Sequence, residues 1–290
     1  MSTTLFFQLL VNGLVFGGLL GLVALGLALI FGVMRLVNFA HGEFITLGAY
    51  ATFLLVTQAG LSPLLGVPAS LLLGGALGYA IQSGVLARII GRPDLDMLMV
   101  TYALSVIGLG LFSFAFGGDF RSYSQGPSGF LKVLGVNIGW RSLTVLIGCL
   151  ILGALVLLLV QRARIGLGLR ALAQNRDAAA SCGINVVRSE RIAFSLAVAL
   201  AAASGSFISL IGTTTPTVGH DFVLDGFVVV VLGGMGSIVG AVTAAFVVGL
   251  INSFAGFALD DSWARIIIYL LLYAALLLRP QGLLGKREAA

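Results

Sequence analysis

Residues 7–31, FQLLVNGLVFGGLLGLVALGLALIF, form an unbroken apolar run, and Arg35-Leu36-Val37-Asn38-Phe39-Ala40-His41-Gly42-Glu43 interrupts the chain before a second run begins. One membrane-spanning helix needs about 20 predominantly apolar residues, and a helix apolar on every face is either buried or in a bilayer. The rest of the chain decides between these. Of its 290 residues 59% are hydrophobic and 9% charged, with a mean hydropathy of +1.11, whereas a soluble domain carries about 25% charged residues. At roughly 30–35 residues per helix and connection, the length accommodates about eight or nine spans. The expected fold class is therefore all-α, a polytopic transmembrane helix bundle of a single domain over residues 1–290. The weak ten-residue alternation of an outer-membrane barrel is not the pattern seen here. The leader Met1-Ser2-Thr3-Thr4 has no basic region, so the first run is expected to persist as a helix rather than act as a cleaved signal.

The 40 glycines suit this reading, because small residues let membrane helices approach closely. Gly13, Gly17 and Gly21 recur every four residues and line one face of the first helix, which predicts packing against a neighbour. Two cysteines, Cys149 in an apolar run and Cys182 in a basic loop, read as unpaired thiols rather than a disulfide framework.

Charge distribution orients the bundle. Residues 162–191 hold six arginines, Arg162, Arg164, Arg170, Arg176, Arg188 and Arg191, against Asp177 and Glu190, most of the net charge of +5. The positive-inside rule places this loop in the cytoplasm, together with Arg88 and Arg92 and the C-terminal Arg279, Lys286 and Arg287. Such a distribution does not describe a nucleic-acid surface. The turn-rich stretch 118–141 and residues 213–225, with Thr214, His220, Asp221 and Asp225, are expected on the outer side. Apolar periodicity predicts helices at about 7–32, 44–59, 62–87, 97–117, 142–161, 192–212, 238–257 and 263–279, with a half-helix near 224–232. Counted this way the chain makes about nine passes with its N-terminus outside, and a re-entrant segment near 33–43 would change that count by one.

Two interruptions fall inside the apolar sequence, residues 35–43 and the uncharged Gly233-Gly234-Met235-Gly236-Ser237. Irregular backbone at membrane depth is tolerated only where protein buries it or a water-filled cavity meets it, and paired breaks point to a transporter's substrate path. Each break is followed by a Gly-Ala pair, Gly48-Ala49 and Gly240-Ala241, which suggests a repeat. The candidate path residues are Asn38, His41, Gly42, Glu43, Gly233, Gly234, Gly236 and Ser237. For Glu43 the local reading is a first-turn acid favoured by the helix dipole, with Asn38 capping the helix before it. The alternative is direct substrate contact. His41 reads as a hydrogen-bonded structural residue rather than a metal ligand.

Catalytic constellations are not found. There is no His-Glu-x-x-His, Cys-x-x-Cys or Gly-x-Ser-x-Gly. Gly166-Leu167-Gly168-Leu169-Arg170-Ala171 fits a dinucleotide pattern but follows an apolar helix rather than the strand that motif needs. Gly282-Leu283-Leu284-Gly285-Lys286-Arg287 lacks the spacing and the final hydroxyl residue of a phosphate loop. No cofactor is expected on this chain.

The basic loop carries Arg170-Ala171, Gln174-Asn175-Arg176-Asp177, three alanines and then Gly183-Ile184-Asn185. This run resembles the coupling loop of ABC importer permeases, nearest to the branched-chain amino acid permease family of the LivH type. Asn38 to Glu43 resembles that family's signature after the first helix, and Val231 to Ser237 its late glycine turn. Thr101-Tyr102-Ala103-Leu104-Ser105 and Phe116-Gly117-Gly118-Asp119 also fit, so the resemblance covers nearly the whole chain. It implies one membrane subunit of an importer in a bacterial inner membrane, beside a second, LivM-type permease subunit, two cytoplasmic ABC ATPases that carry the ATP, and an extracytoplasmic substrate-binding protein. A coupling helix around Leu169 to Ser181 would engage an ATPase through Arg170, Ala171, Gln174, Asn175, Arg176, Asp177 and Gly183. Thr214, His220 and Asp221 would face the binding protein. Substrates implied are branched-chain amino acids, or urea and short amides as in relatives. A competing class is an ion-coupled secondary transporter, for which Glu43 is the available membrane carboxylate.

Overall fold

The computed structural model describes residues 2–133, 135–279 and 282, and nearly every apolar run in it is helical. Helix α1 (Thr3–Met34) starts at Ser2, whose side chain accepts the Leu5 amide at 3.3 Å. It stops at Arg35, which turns into the left-handed region with φ 50° while its N–H closes on Phe31. Next come α2 (His41–Thr57), α3 (Gly66–Gly84) and α4 (Asp94–Phe116). An antiparallel hairpin of β1 (Phe130–Val133) and β2 (Val136–Gly139) follows, with Phe130 opposite Gly139. The chain continues through α5 (Trp140–Arg162), the short pair α6 (Arg164–Gln174) and α7 (Arg176–Ser181), then α8 (Val186–Ile211), α9 (Val218–Gly233), α10 (Ile238–Ala258) and α11 (Asp261–Leu278).

Among the described residues seven helices, α1, α3, α4, α5, α8, α10 and α11, are long and apolar enough to cross a membrane. The molecule is thus the all-α polytopic bundle that composition required. Helices α1 and α8 form its centre, each with 83% of its most apolar stretch buried. The outer helices present Leu, Ile, Val and Phe side chains to the surroundings, as a surface in hydrocarbon should. The glycine stripe works as expected. Gly13 and Gly17 lie against the backbone of Leu250 and Phe246 in α10, and Gly21 against Ala245. Both cysteines are free, Cys149 buried and Cys182 exposed.

The bundle has two distinct ends. At one, Gly135 of the hairpin sits beside Thr4, and Ser253 near the end of α10 donates to the Leu9 carbonyl at 2.7 Å. At the other, Gly236 packs on Gly32 near the end of α1, and α6 also touches α1. The basic residues of α6 and α7 mark this second end.

Helices α2 and α9 are different. With 17 and 16 residues they are shorter than all seven of those long apolar helices. Both begin inside the bundle after non-helical segments, 35–40 and 212–217. The His41 ring meets Gly26, about 12 Å before α1 ends at 1.5 Å per residue.

Several boundaries differ from the sequence reading. The half-helix expected near 224–232 begins at Val218, so of the loop 213–225 only the part before it is irregular. His220, Asp221 and Asp225 look like loop residues by charge, yet they sit on a helix. The stretch 118–141 contains the hairpin and the first two residues of α5. The loop 162–191 is almost wholly helical, and the single coupling helix expected over Leu169 to Ser181 is two helices broken at Asn175, extended at φ −157° and ψ 115°. Asn38 does not cap α1. That position belongs to Arg35, and Asn38 Nδ2 is buried without a partner. Lys286, Arg287 and the rest of the phosphate-loop-like segment after Gly282 lie outside the described residues.

Candidate functional site

The N-terminal turns of α2 and α9 meet side by side. A Cβ on Gly219 would fall on the Gly42 carbonyl, and one on Gly42 would lie 2.8 Å from the Gly219 carbonyl. Only two glycines permit that approach. Neither helix has a side-chain cap at its N-cap residue, Ala40 or Thr217; the His41, Glu43, Val218 and His220 amides turn back to carbonyls of the preceding segments, which leaves the Gly219 amide to be met from across the junction. Thr46 of α2 supplies one answer: its Oγ1 accepts the Gly219 amide at 3.1 Å while donating to the Gly42 carbonyl at 3.3 Å.

Glu43 lies in this junction, in the first turn of α2 and only 4% exposed. Its Oε1 accepts a hydrogen bond from Ser105 Oγ of α4 at 3.1 Å, and His220 Nδ1 of α9 lies 3.2 Å away. Its Oε2 is buried with no partner. A buried carboxylate is costly unless satisfied, and three elements converge to hold this one. Gly108 permits that approach, since a side chain there would meet Glu43 Cγ at 2.8 Å. Two positive helix ends point at the same place, an arrangement that favours negative charge. His220 is half exposed, so the pair reaches the face shared by α2, α4 and α9.

One turn nearer the basic end, Phe39 packs between Tyr102 and Phe227, with ring centres 6.3 and 5.6 Å apart. On the other side of Glu43, Tyr50 stacks on Phe116 at 3.9 Å and Phe112 at 5.8 Å, pinning α4 to α2. Deeper, Thr52 donates to Ser206 Oγ at 2.7 Å. The result is a polar point between aromatic layers: a carboxylate, an imidazole and a hydroxyl beside apolar rings.

The structure groups the sequence candidates differently from the sequence reading. Gly42 and Glu43 are in the junction, and Asn38 and His41 lie just before it. His41 packs as a buried residue of the core: its ring fills the space left by Gly26, beside the Ala197 carbonyl, and turns toward the Val23 backbone. Gly233, Gly234, Gly236 and Ser237 are elsewhere, at the basic end beside Gly32. There Gly233 and Gly240 bring α9 and α10 into backbone contact, Gly234 and Gly236 take φ of 101° and 84°, and Ser237 accepts the Gly240 amide at 3.1 Å. The counterpart of the first break is therefore the segment before α9, not the glycine turn after it.

Of the three residues assigned to an outer face, Asp221 is exposed and His220 turns to Glu43. Thr214 is 1% exposed and pairs its backbone with Arg121 at 3.0 and 2.7 Å, so it presents no side chain outward. In the basic region Arg170, Gln174, Asn175, Arg176 and Asp177 are exposed along α6 and α7, and Ala171 is half-buried. Leu169, Leu172 and Ala179 face the bundle. Asn175 caps α7 by accepting the Ala178 amide at 2.9 Å, Gly183 ends it with φ 82°, and Arg176 pairs with the buried Glu190 of α8.

Sequence reasoning missed Ser105, Thr46 and Gly108. A signal existed for two of them: Thr101, Ser105 and Gly108 stand at i, i+4 and i+7, a small and polar stripe on one face of α4. Thr101 donates to the Val37 carbonyl at 3.1 Å, so this stripe is what seats α4 on the break.

Comparison with known proteins is concordant along the chain. The family model described as branched-chain amino acid transport system / permease component matches residues 9–276. The high-affinity branched-chain amino acid transport system permease protein BraD of Pseudomonas aeruginosa is 28% identical, covering 98% of this chain and 97% of its own length. LivH of Escherichia coli K12, of the same description, is 24% identical over 98% and 96%. A probable branched-chain amino acid transport permease protein LivH of Methanocaldococcus jannaschii is 25% identical over 96% and 92%. No solved structure matches the chain.

Proposed function

Because the chain belongs to the branched-chain amino acid transport permease family, we propose that it is one of two membrane subunits of an ATP-driven importer in a bacterial inner membrane. The second would be a LivM-type permease, an extracytoplasmic binding protein would deliver the substrate, and two cytoplasmic ABC ATPases would supply the work. The positive-inside rule puts the α6–α7 end and Arg279 in the cytoplasm. The half-exposed face of α2, α4 and α9 then lines the path, closed by the second permease subunit.

The observation that carries this reading is the Glu43 junction. Half-helix ends with a polar group near mid-membrane are how transporters hold a charged ligand in hydrocarbon. The carboxylate suits a substrate ammonium, and the collar of Phe39, Tyr102 and Phe227 suits a branched apolar side chain. That pairing favours an amino acid over urea or a short amide, which has no aliphatic branch to place there. Alternating access follows if ATP-driven closure below shifts the α2–α9 junction between two packings, a population shift between states.

Purification of a tagged chain from its native host in mild detergent should yield two ATP-binding subunits and a second permease. In proteoliposomes carrying that complex, leucine uptake should require ATP and exceed urea uptake at least tenfold. Uptake that survives ATP depletion and collapses with the proton gradient would instead establish the ion-coupled reading. Within the active complex, Glu43→Gln keeps shape and the Ser105 hydrogen bond but removes the charge; leucine uptake should fall about tenfold, roughly the 1.4 kcal/mol expected of one charge-assisted hydrogen bond. Unchanged uptake would limit Glu43 to a structural role.

A further inference from the structure

At the basic end, away from the Glu43 junction, α3 and α8 part and leave a cavity of about 670 Å³ lined by Tyr79, Asn185, Val187, Arg188, Arg191 and Ile192. Above it the two helices are locked together: Gly75 and Gly78 lie against Ser195 and Val198, and Ser195 Oγ donates to the Gly75 carbonyl at 2.5 Å. The cavity is thus framed by fixed backbone. Arg188 and Arg191 stand three apart on α8, so their side chains share one face. Among the described residues neither makes a salt bridge with a carboxylate. The Arg191 guanidinium lies over the Tyr79 ring at 5.9 Å, and its Nε is buried with no hydrogen-bond partner. Asn185 accepts the Arg188 amide at 2.9 Å and fixes the helix start from which both arginines project.

We propose that this cavity is a binding site for the headgroup of an anionic phospholipid. Its phosphodiester would be gripped by Arg188 and Arg191, with the glycerol and first acyl carbons against Val187, Ile192 and the Tyr79 ring. Three observations select a lipid. The lining is divided, with cationic and amide groups beside aliphatic ones, as an amphiphile requires. The arginines offer planar forks that match phosphate oxygens in two-point contact. The cavity lies where one long apolar helix ends and another begins, beside a tyrosine, and the positive-inside rule would set this basic end at the inner interface, where headgroups and aromatic side chains meet. The site lies between α3 and the helix that follows the α6–α7 pair, so its occupant would brace the start of α8.

The test is native mass spectrometry of the purified transporter complex with added phosphatidylglycerol or phosphatidylcholine. Phosphatidylglycerol should be retained preferentially. The double variant Arg188→Ala/Arg191→Ala should reduce its occupancy at least fivefold while leaving phosphatidylcholine unchanged, and Tyr79→Ala should reduce it two- to threefold. The Arg188→Lys/Arg191→Lys variant, which keeps charge and bulk, guards against misfolding and should retain intermediate occupancy. Wild-type retention of phosphatidylglycerol by the alanine double variant overturns the proposal. So does its displacement by millimolar inorganic phosphate, which would mark a site for soluble anions. Loss of the ATPases from the alanine double variant with lipid retention intact would mark a protein-docking surface and equally overturn it.

Discussion

Replacing Gly219 with alanine is expected to leave the chain in the membrane and reduce substrate uptake at least tenfold. The added Cβ falls on the Gly42 carbonyl, a contact with backbone rather than with a flexible side chain. Neither helix can relieve it by a rotamer change, so α2 and α9 must separate. Overpacking of this kind costs about 1–3 kcal/mol, small against the stability of a bundle built on α1 and α8. The geometric effect is larger. Thr46 Oγ1 loses the Gly219 amide that it accepts at 3.1 Å, and His220 moves off Glu43, from which it now lies 3.2 Å. Gly110 of α4 is the matched control: nothing lies within 4 Å of its added Cβ, so Gly110→Ala should transport normally. Uptake normalised to the amount of protein in the membrane checks both, and normal uptake by Gly219→Ala would show that the junction tolerates separation and is not the path.

Most of the architecture was legible because it is local. An apolar run such as residues 7–31 can hardly be anything but a buried or membrane helix, and Gly13, Gly17 and Gly21 announce a packing face without naming the partner. The junction was not legible, for two reasons. Gly42 and Gly219 are far apart in sequence, and among 40 glycines nothing local says which two will touch. His220 and Asp221 carry the polarity of a loop, so the start of α9 was read six residues late. A helix whose polar first turn meets another helix's carboxylate inside the bundle defeats a rule that equates charge with the outside. Thr214 failed similarly, its burial arising from backbone pairing with the distant Arg121. The break at Asn175 had a signal in the sequence: an Asn followed by an acid in the next turn is a helix-start pattern, and it marks where α6 ends and α7 begins.

The α6–α7 pair leads to the second large effect. Deleting residues 170–183 should abolish uptake while leaving the protein inserted, because the deletion removes short helices that cap the end of the bundle rather than a spanning helix. A sharper variant exploits how α7 is held. Glu190 is buried at 3% exposure while Arg176, its partner, is 49% exposed. Arg176→Ala strands a buried carboxylate, and breaking a fully buried pair costs about 3–5 kcal/mol. The exposure of Arg176 lets water and salt screen the pair, which brings the expected cost nearer 1–2 kcal/mol. That is enough to free a six-residue helix that buries only Ala179 and is otherwise fixed by the Asn175 cap and the left-handed Gly183. On the importer reading proposed above, α7 attached but no longer braced should let the ATPases turn over without moving substrate. In the reconstituted complex, Arg176→Ala should therefore retain ATPase subunits and at least half of the ATP hydrolysis while uptake falls five- to tenfold. Gly183→Ala, which must force a Cβ into φ 82° at about 1–2 kcal/mol, should act in the same direction. If hydrolysis and uptake fall together in both variants, the ATP-to-transport ratio is unchanged and α7 is a docking surface alone. If only uptake falls, the Arg176–Glu190 pair is the joint through which closure of the ATPases reaches α8 and, through its backbone contact with α2 at Gly48 and Gly205, the junction that holds Glu43.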